Sequence, residues 1–231
     1  YNSRTKNQVL IVPMTGSFNG KYINAGLVSN KGVELMLYGT PVKTKDFSFD
    51  LTINMAHNLS EVVELTPEKK EVIFNEGESN FIIDVGAREG GKLGDIYPIQ
   101  SYKRDNNGNI IIRDGYPLIE ESKGNDRKAI GNIQPKLLMS VTPSFAYKGI
   151  YLTALFDMKF GGDIVSMSES VATNYGMANR TENRGTITVK GVNEDGTPNT
   201  TAVDAESYYK RIANVAEEFL YDASFIKLKE L

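Results

Sequence analysis

The stretch from 47 to 56 reads Phe-Ser-Phe-Asp-Leu-Thr-Ile-Asn-Met-Ala, with a large apolar side chain at every odd position. Successive side chains of a β-strand point to opposite faces, so one face of this strand is apolar and the other mostly polar. A soluble antiparallel sheet with one solvated face has this pattern. A strand of a transmembrane barrel has it too, with the apolar face in lipid and the polar face in the lumen. The run covers the roughly 9–11 residues that a membrane strand needs, and both interpretations are open at this point.

The residues before this stretch predict a partner strand over 28–38. A short polar connection at 39–46 would join the two strands into a hairpin. Aromatic side chains gather near the predicted turn, with Tyr38 on one strand and Phe47 and Phe49 on the other. They are typical either of an aromatic girdle at a membrane interface or of ordinary cross-strand pairing. The apolar face of the partner strand consists of Val33, Leu35 and Leu37, and the other face carries Glu34 and Met36.

A second hairpin with the same plan is predicted over 137–147 and 150–160. Lys148 and Gly149 form its tight turn. Pro143 interrupts the first of these strands and indicates a bulge or a gap in the ladder, because proline has no N–H to donate. Two long hairpins with one apolar face each favour a barrel wall.

Two long segments, about 58–136 and 161–220, lack this alternation and are predicted to be loops. A compact soluble domain rarely holds such long loops, whereas long extracellular loops are usual in outer-membrane barrels. One helix is predicted within them, over 204–220, with Asp204 as its N-cap. Its apolar stripe is Tyr208, Ile212, Val215 and Phe219.

Composition excludes several kinds of chemistry. The chain has a net charge of −3 and no cysteine, so we expect no nucleic-acid partner, disulfide framework or thiolate site. His57 is the only histidine, and we interpret it as a surface or hydrogen-bonded residue. The sequence contains no phosphate-binding loop, no nucleophile elbow and no zinc motif, and it pairs no two carboxylates. We therefore predict no enzyme activity, no metal and no cofactor, and we interpret the Asp-Asn-Asn-Gly run at 105–108 as a turn rather than a calcium loop.

Several sequence blocks together resemble the late barrel of the SusC/RagA-type TonB-linked outer-membrane transporters. Their order and spacing follow that family over nearly the whole chain. The blocks are 22–26 (Tyr-Ile-Asn-Ala-Gly), 29–35 (Ser-Asn-Lys-Gly-Val-Glu-Leu), the strand at 47–50, 58–62 (Asn-Leu-Ser-Glu-Val), 130–135 (Ile-Gly-Asn-Ile-Gln-Pro), 160–163 (Phe-Gly-Gly-Asp) and 221–231.

The resemblance implies an all-β fold, an antiparallel transmembrane β-barrel segment that is part of a 22-stranded barrel. The whole of 1–231 would be barrel wall with long extracellular loops, in the outer membrane of a Gram-negative, Bacteroidetes-like bacterium. Asp50, Thr52 and Asn54 would face the lumen. Since Tyr1 is not methionine and Leu231 lies in a predicted strand, we expect the chain to be part of a longer polypeptide.

The resemblance also implies partners and cargo. Members of this family import oligosaccharides or oligopeptides with a SusD-like surface lipoprotein as lid, and they contact the TonB complex through an N-terminal part that this chain does not contain. Aromatic rings and amides suit sugars or peptides. The residues predicted to contact cargo or lid are Asn174, Tyr175, Asn179, Tyr208 and Tyr209. The alternative is a soluble, secreted or periplasmic β-sandwich that binds carbohydrate. A β-rich hydrolase fits poorly, because no catalytic constellation is present.

Overall fold

The computed structural model describes residues 1–12, 21–66, 70–74, 82–122 and 127–231, and the side chains of 8–25 are not described. Its elements, in chain order, are β1 (Asn2–Val12), β2 (Lys21–Lys43), β3 (Phe47–Glu64), β4 (Glu71–Ile73), β5 (Ile83–Arg88), β6 (Asp95–Pro98), β7 (Gln100–Tyr102), β8 (Ile111–Arg113), β9 (Tyr116–Pro117), β10 (Ile119–Glu121), β11 (Gly131–Asn132), β12 (Leu137–Tyr147), β13 (Ile150–Thr153), β14 (Leu155–Phe160), β15 (Asp163–Val165), α1 (Met167–Asn174), a 3₁₀ turn (Asn179–Thr181), β16 (Thr186–Thr188), β17 (Val192–Asn193), β18 (Ala202–Asp204), α2 (Ala205–Ile212), a second 3₁₀ turn (Ala216–Phe219), β19 (Leu220–Asp222) and β20 (Phe225–Glu230).

The long strands form one antiparallel sheet, which we call the wall. Its strand order is β1-β2-β3-β12-β14-β20, and β13 pairs with β12 beside β14. Both predicted hairpins are confirmed, and their turns lie at the same end of the wall because Tyr147 pairs with Phe47. Lys148 and Gly149 both adopt positive φ, as the two-residue turn requires.

Two adjacent rows of side chains cross five strands of the wall and define its faces. Antiparallel register aligns one residue from each strand, and side chains in one row point to the same face. The apolar row is Leu37, Ile53, Val141, Phe156 and Leu228; the polar row is Met36, Asn54, Ser140, Asp157 and Lys227. The alternation that predicted each strand is therefore in phase across the sheet, and the wall has one apolar and one mostly polar face.

The first hairpin differs from its prediction at the turn. Strand pairing continues through Lys43, so the connection is 44–46 rather than 39–46. Gly39 pairs with Leu51 and Val42 with Phe49, which leaves Thr40 and Pro41 opposite a single residue. This bulge accommodates a proline that could not donate to a regular ladder. The Gly- and Asn-containing residues 21–27 also belong to β2, and 13–20 lies outside the described residues.

Pro143 breaks the ladder on one side only. On the β3 side it pairs with Leu51 without interruption. On the other side the predicted strand 150–160 is split at Ala154 into β13 and β14, although the Ala154 N–H donates to the Pro143 carbonyl oxygen at 3.1 Å. The reciprocal bond would need the N–H that proline lacks. The predicted strand is therefore interrupted at Ala154 because a hydrogen-bond donor is missing, and not because the register changes.

The chain leaves the wall twice at the end opposite the two turns, over 65–136 and 161–219, which we call the first and second excursions. The two excursions share a hydrophobic core. Its buried members are Ile82, Ile83 and Ile96 from the first excursion and Ala216 and Phe219 from the second. Residues predicted to be loop thus form short strands, helices and a packed core.

The helical content differs from the single predicted helix at 204–220. Asp204 is the N-cap, as predicted, and its carboxylate accepts from the Ser207 N–H at 2.8 Å. The helix, α2, ends at Ile212, and a separate 3₁₀ turn carries Phe219 into the core. The second helix, α1, was not predicted; Ser166 caps it by accepting from the Glu169 N–H. Within the described part of the chain, neither helix is long and apolar enough to cross a bilayer.

Candidate functional site

Two of the sequence blocks meet where the excursions join the wall. Asn132, from the 130–135 block, donates its side-chain amide to Asp95 Oδ1 at 2.8 Å, and its side-chain oxygen accepts from the Gln134 N–H at 2.8 Å. The Asn132 backbone N–H donates to Asp163, from the 160–163 block, at 2.8 Å. A side chain at Gly131 would collide with Asp163, since an added Cβ would lie 2.8 Å from its Oδ2. The two blocks therefore form one junction that holds β11 against the start of the second excursion.

Replacing Asn132 by alanine is expected to cost the junction about 2–3 kcal/mol. The substitution removes a bond to a carboxylate and leaves the Gln134 N–H without its acceptor. The readout is the free energy of opening from hydrogen exchange at the Ile133 N–H, which donates to the Gly94 carbonyl. The matched control is Asn106→Ala, in an exposed turn. Equal effects of the two substitutions would contradict the role of Asn132.

The residues predicted to face a lumen lie on the polar face of the wall. Asp50 accepts hydrogen bonds from the Thr40 hydroxyl at 2.6 Å and the Tyr38 hydroxyl at 3.5 Å. Asn54 donates to the Ser140 hydroxyl at 3.2 Å. Thr52 stands between them on β3, with its side chain on the same face. These polar groups thus bond across strands on one continuous surface.

Charged side chains continue that surface toward β20. Asp157 Oδ2 lies 3.9 Å from Lys227 Nζ and 3.7 Å from Lys229 Nζ. Lys227 is directly opposite Asp157 in the register, and Lys229 is two residues further along the same strand, within reach of its long side chain. The polar face therefore ends at β20 with one more lysine than carboxylate. Solvent-exposed ion pairs of this kind contribute little to the free energy of folding.

Three of the five predicted contact residues line one cavity in the second excursion. The cavity, of about 280 Å³, lies between the C-terminal end of α1, residues 181–184 and α2. Asn174, Tyr175 and Tyr209 line it. Asn179 and Tyr208 do not line it. Asn179 begins the first 3₁₀ turn. Tyr208 is half-buried and packs against the core beneath α2, where burial raises the pKa of its hydroxyl to about 12. The lining residues that the sequence did not predict are Thr173, Gly176, Thr181, Asn183, Arg184, Glu206 and Lys210.

His57 has a structural role. Its Nδ1 lies 2.5 Å from the Lys136 carbonyl oxygen. His57 also lines an opening between the end of β3 and the junction, which is larger than the cavity in the second excursion. Among the described residues, no group of three or more metal-binding side chains is present. The run at 105–108 is a turn in which the Gly108 N–H donates to the Asp105 carbonyl, in agreement with its prediction.

The chain is similar in sequence to TonB-dependent receptors. No family model matches the chain. A TonB-dependent receptor, P39, of Formosa agariphila is 24% identical over 193 residues, which cover 66% of this chain and 19% of that protein. The TonB-dependent receptor SusC of Bacteroides thetaiotaomicron is 23% identical over 243 residues, covering 94% of this chain and 21% of SusC. The chain is SusC/RagA-like. It spans about a fifth of the length of these two relatives.

Solved structures give the same fold for this SusC/RagA-like segment. It superposes on the RagAB peptide importer in a closed-closed state with a TM-score of 0.65 and 20% identity, over 99% of this chain and 25% of that one. A second structure, of the RagAB peptide transporter, gives a TM-score of 0.61 and 19% identity. The fold thus matches an antiparallel segment of a transporter of this kind, as the resemblance to the family implied.

Proposed function

We propose that this chain forms part of the wall and the loops of an outer-membrane, TonB-dependent importer of oligomeric nutrients. The observation that carries the proposal is the pair of rows across the wall, one wholly apolar and one mostly polar, which five strands keep in phase. A transmembrane barrel needs this division between its lipid face and its lumen face.

The exposure of the apolar face supports the assignment of that face to lipid. Val33 is 68% exposed, Leu37 50% and Leu228 52%. Exposed apolar patches that extend over several strands mark surfaces that another apolar phase covers. Phe49 and Phe145 stack on this face with ring centroids 4.8 Å apart, near the turn end, where an aromatic girdle would meet the membrane interface. Asp50, Thr52 and Asn54 would then face the lumen.

The excursions would form the extracellular side of the importer. Both leave the wall at one end, and both contribute to a shared core that can hold a binding surface in place. The cargo would be an oligosaccharide or an oligopeptide, taken up together with a SusD-like surface lipoprotein that contacts the excursions. Energy would come from the TonB complex through other parts of the transporter. Support for this assembly comes from the similarity to SusC and to the RagAB importer.

Site-directed spin labels on the full transporter in bilayers test which face meets lipid. Single cysteines at positions 51, 52, 53 and 54 give two labels on each face of β3, and this chain contributes no cysteine of its own. We expect a lipid-phase relaxation agent to reach the labels of Leu51→Cys and Ile53→Cys, and a water-soluble agent to reach those of Thr52→Cys and Asn54→Cys. If 51 and 53 are shielded from both agents, the apolar face is the core of a soluble sandwich and the proposal fails.

A further inference from the structure

The apolar face of the wall changes to a charged one at the end from which the excursions leave. On β2 the apolar side chains of this face are Leu37, Leu35 and Val33, and the next residue on the same face is Lys31. The pairing of β2 with β3 keeps its register from 31 to 37, so Lys31 does not change face. Lys31 is exposed and lies opposite Leu59. The apolar face therefore ends in a cation at this level of the wall.

Strand β1 adds two cations to the same face. Arg4 pairs with Ser29 and Lys6 with Leu27, and both cations are exposed. Ser29 and Leu27 follow Lys31 along β2 in steps of two, and side chains two residues apart point to one face. Neighbours on one face lie roughly 7 Å apart, both along a strand and diagonally between strands. Arg4, Lys6 and Lys31, which we call the cationic cluster, can therefore reach one anionic group together.

No neighbouring charge neutralises the cationic cluster. The other residues of its rows on β1 and β2 are uncharged, and the carboxylates of Glu61 and Glu64 belong to β3, where Lys92 bridges to Glu61. Among the described residues, no carboxylate lies within ion-pair distance of the cluster. The cluster therefore presents three unpaired positive charges at the edge of the apolar face.

The height of the cluster on the wall matches the edge of a bilayer. Phe47 lies at the turn end of β3, and Leu59, opposite Lys31, lies twelve residues further along the strand. Twelve residues at roughly 3.3 Å each span about 40 Å along the strand. A tilt of about 45° reduces this to about 28 Å along the membrane normal, close to the hydrocarbon thickness of about 30 Å. The cluster thus begins where the hydrocarbon would end and the headgroups would begin.

The composition of the cluster favours lipid phosphate over a protein partner. Protein interfaces have cores that are depleted of lysine and enriched in aromatic residues, and the cluster has two lysines and no aromatic ring. Basic residues beside a membrane-spanning segment attract anionic headgroups. An arginine forks onto two phosphate oxygens, and each lysine adds a point charge. The apolar face continues directly into the cluster, so one lipid molecule can contact both.

We propose that Arg4, Lys6 and Lys31 bind phosphate-bearing headgroups of the outer-leaflet lipids that surround the barrel. The acyl chains would cover Val33, Leu35 and neighbouring apolar side chains, while the phosphate lies against the cluster. This proposal rests on the proposed function, since it needs the apolar face to lie in lipid and the excursions to lie outside the cell. It adds a class of lipid that the wall selects.

The test measures which lipid collects beside the cluster in the full transporter. A bimane fluorophore on Leu59→Cys, in a cysteine-free background, stands on the apolar face at a residue 44% exposed and opposite Lys31. The transporter is reconstituted in phosphatidylcholine vesicles that contain a small fraction of quencher lipid. The quencher is either phosphatidic acid or phosphatidylcholine, each with the same spin-labelled acyl chain. Both leaflets carry it, so the direction of insertion does not matter.

We expect phosphatidic acid to quench the fluorophore roughly five- to tenfold more effectively than phosphatidylcholine, because each cation near the surface adds attraction for an anionic lipid. Replacing the three cations together, as Arg4→Gln, Lys6→Gln and Lys31→Gln, should reduce this preference to about twofold or less. Quenching by phosphatidylcholine should stay unchanged, which shows that the variant is folded and inserted. Lys31→Arg keeps the charge and should keep the preference.

Lys159→Gln is the matched control. Lys159 pairs with Leu138 on the polar face of the wall, away from lipid, so its loss should leave the preference unchanged. Equal quenching by the two lipids in the wild type, or an undiminished preference in the triple variant, would overturn the proposal. Loss of the preference in millimolar inorganic phosphate, at constant ionic strength, would assign the cluster to a soluble anion instead.

The same measurement separates a failed lipid site from a failed barrel assignment. Equal quenching by both lipids leaves the apolar face in lipid, so only the headgroup selection fails. If neither lipid quenches the fluorophore, the apolar face is not in lipid. Both this proposal and the importer assignment then fail, in line with the spin labels at 51 and 53.

Discussion

Replacing Phe219 by alanine is expected to destabilise the two excursions by about 3–5 kcal/mol. Phe219 is fully buried and packs among Ile82, Ile83 and Ile96 of the first excursion. The Arg180 guanidinium lies over its ring, 4.8 Å from the centroid, and the Ser166 N–H donates to its carbonyl oxygen at 2.9 Å. Truncation would leave a cavity at the point where the excursions join, so both should loosen together.

Hydrogen exchange on the full transporter measures this effect. The free energy of opening should fall at the Ile99 N–H, which donates to Ile82, and at the Ser166 N–H in the other excursion. Phe74→Ala removes a ring that is about half exposed and is the matched control, with a much smaller expected change. A fall confined to the second excursion would show that the two excursions are stabilised independently.

An arginine in place of Ile53 is expected to cost the assembled barrel about 2–4 kcal/mol, the penalty for a charge near the bilayer midplane on a lipid-facing strand. Ile53 lies inside the apolar row, with Leu37 on one side and Val141 on the other. Asn54→Arg is the matched control one residue further on. Its side chain would enter the polar row beside Ser140, where water can solvate it, and its cost should be much smaller.

Urea unfolding of the protein in lipid vesicles measures how much each substitution, Ile53→Arg and Asn54→Arg, lowers the free energy of unfolding. A soluble sandwich would also penalise Ile53→Arg, because that face would be its core. The substitution therefore measures the cost of a charge on the apolar face of the wall. The spin labels show whether lipid or protein covers that face. Equal costs at 53 and 54 would contradict a two-faced wall.

The wall could be predicted from the sequence because its signal is local. A period of two over long runs predicts each strand and its face, as the residues of 47–56 show. The errors arose where backbone pairing tolerates residues that usually end a strand. Thr40 and Pro41 are residue types that usually form a turn, but here they form a bulge within β2. Likewise, the predicted helix ends at Ile212, shortly before Asn214, and its apolar stripe continues in a separate 3₁₀ turn. Propensity does not distinguish these cases, because the neighbouring strand or core decides them.

The excursions and the cavity could be predicted only in part. Asn174, Tyr175 and Tyr209 are predicted contact residues because amides and aromatic rings suit sugars or peptides, and the fold places all three around one cavity. Thr173 and Arg184 carry no such signal, because Thr173 lines the cavity only where α1 ends and Arg184 is placed there by its bond to the Gly176 carbonyl oxygen. The bonds of Asn132 likewise join segments far apart in sequence, and no local pattern encodes them.

The core shared by the two excursions also constrains the order of folding. Ile96 and Phe219 are far apart in the chain, and contacts of long sequence separation form slowly unless other structure first brings their segments together. The pairing of β3 with β12, of β12 with β14 and of β14 with β20 does so, because it places the start and end of each excursion at the same end of the sheet. The strands should therefore assemble first, and packing of the excursions against each other should be the late, slow step of folding.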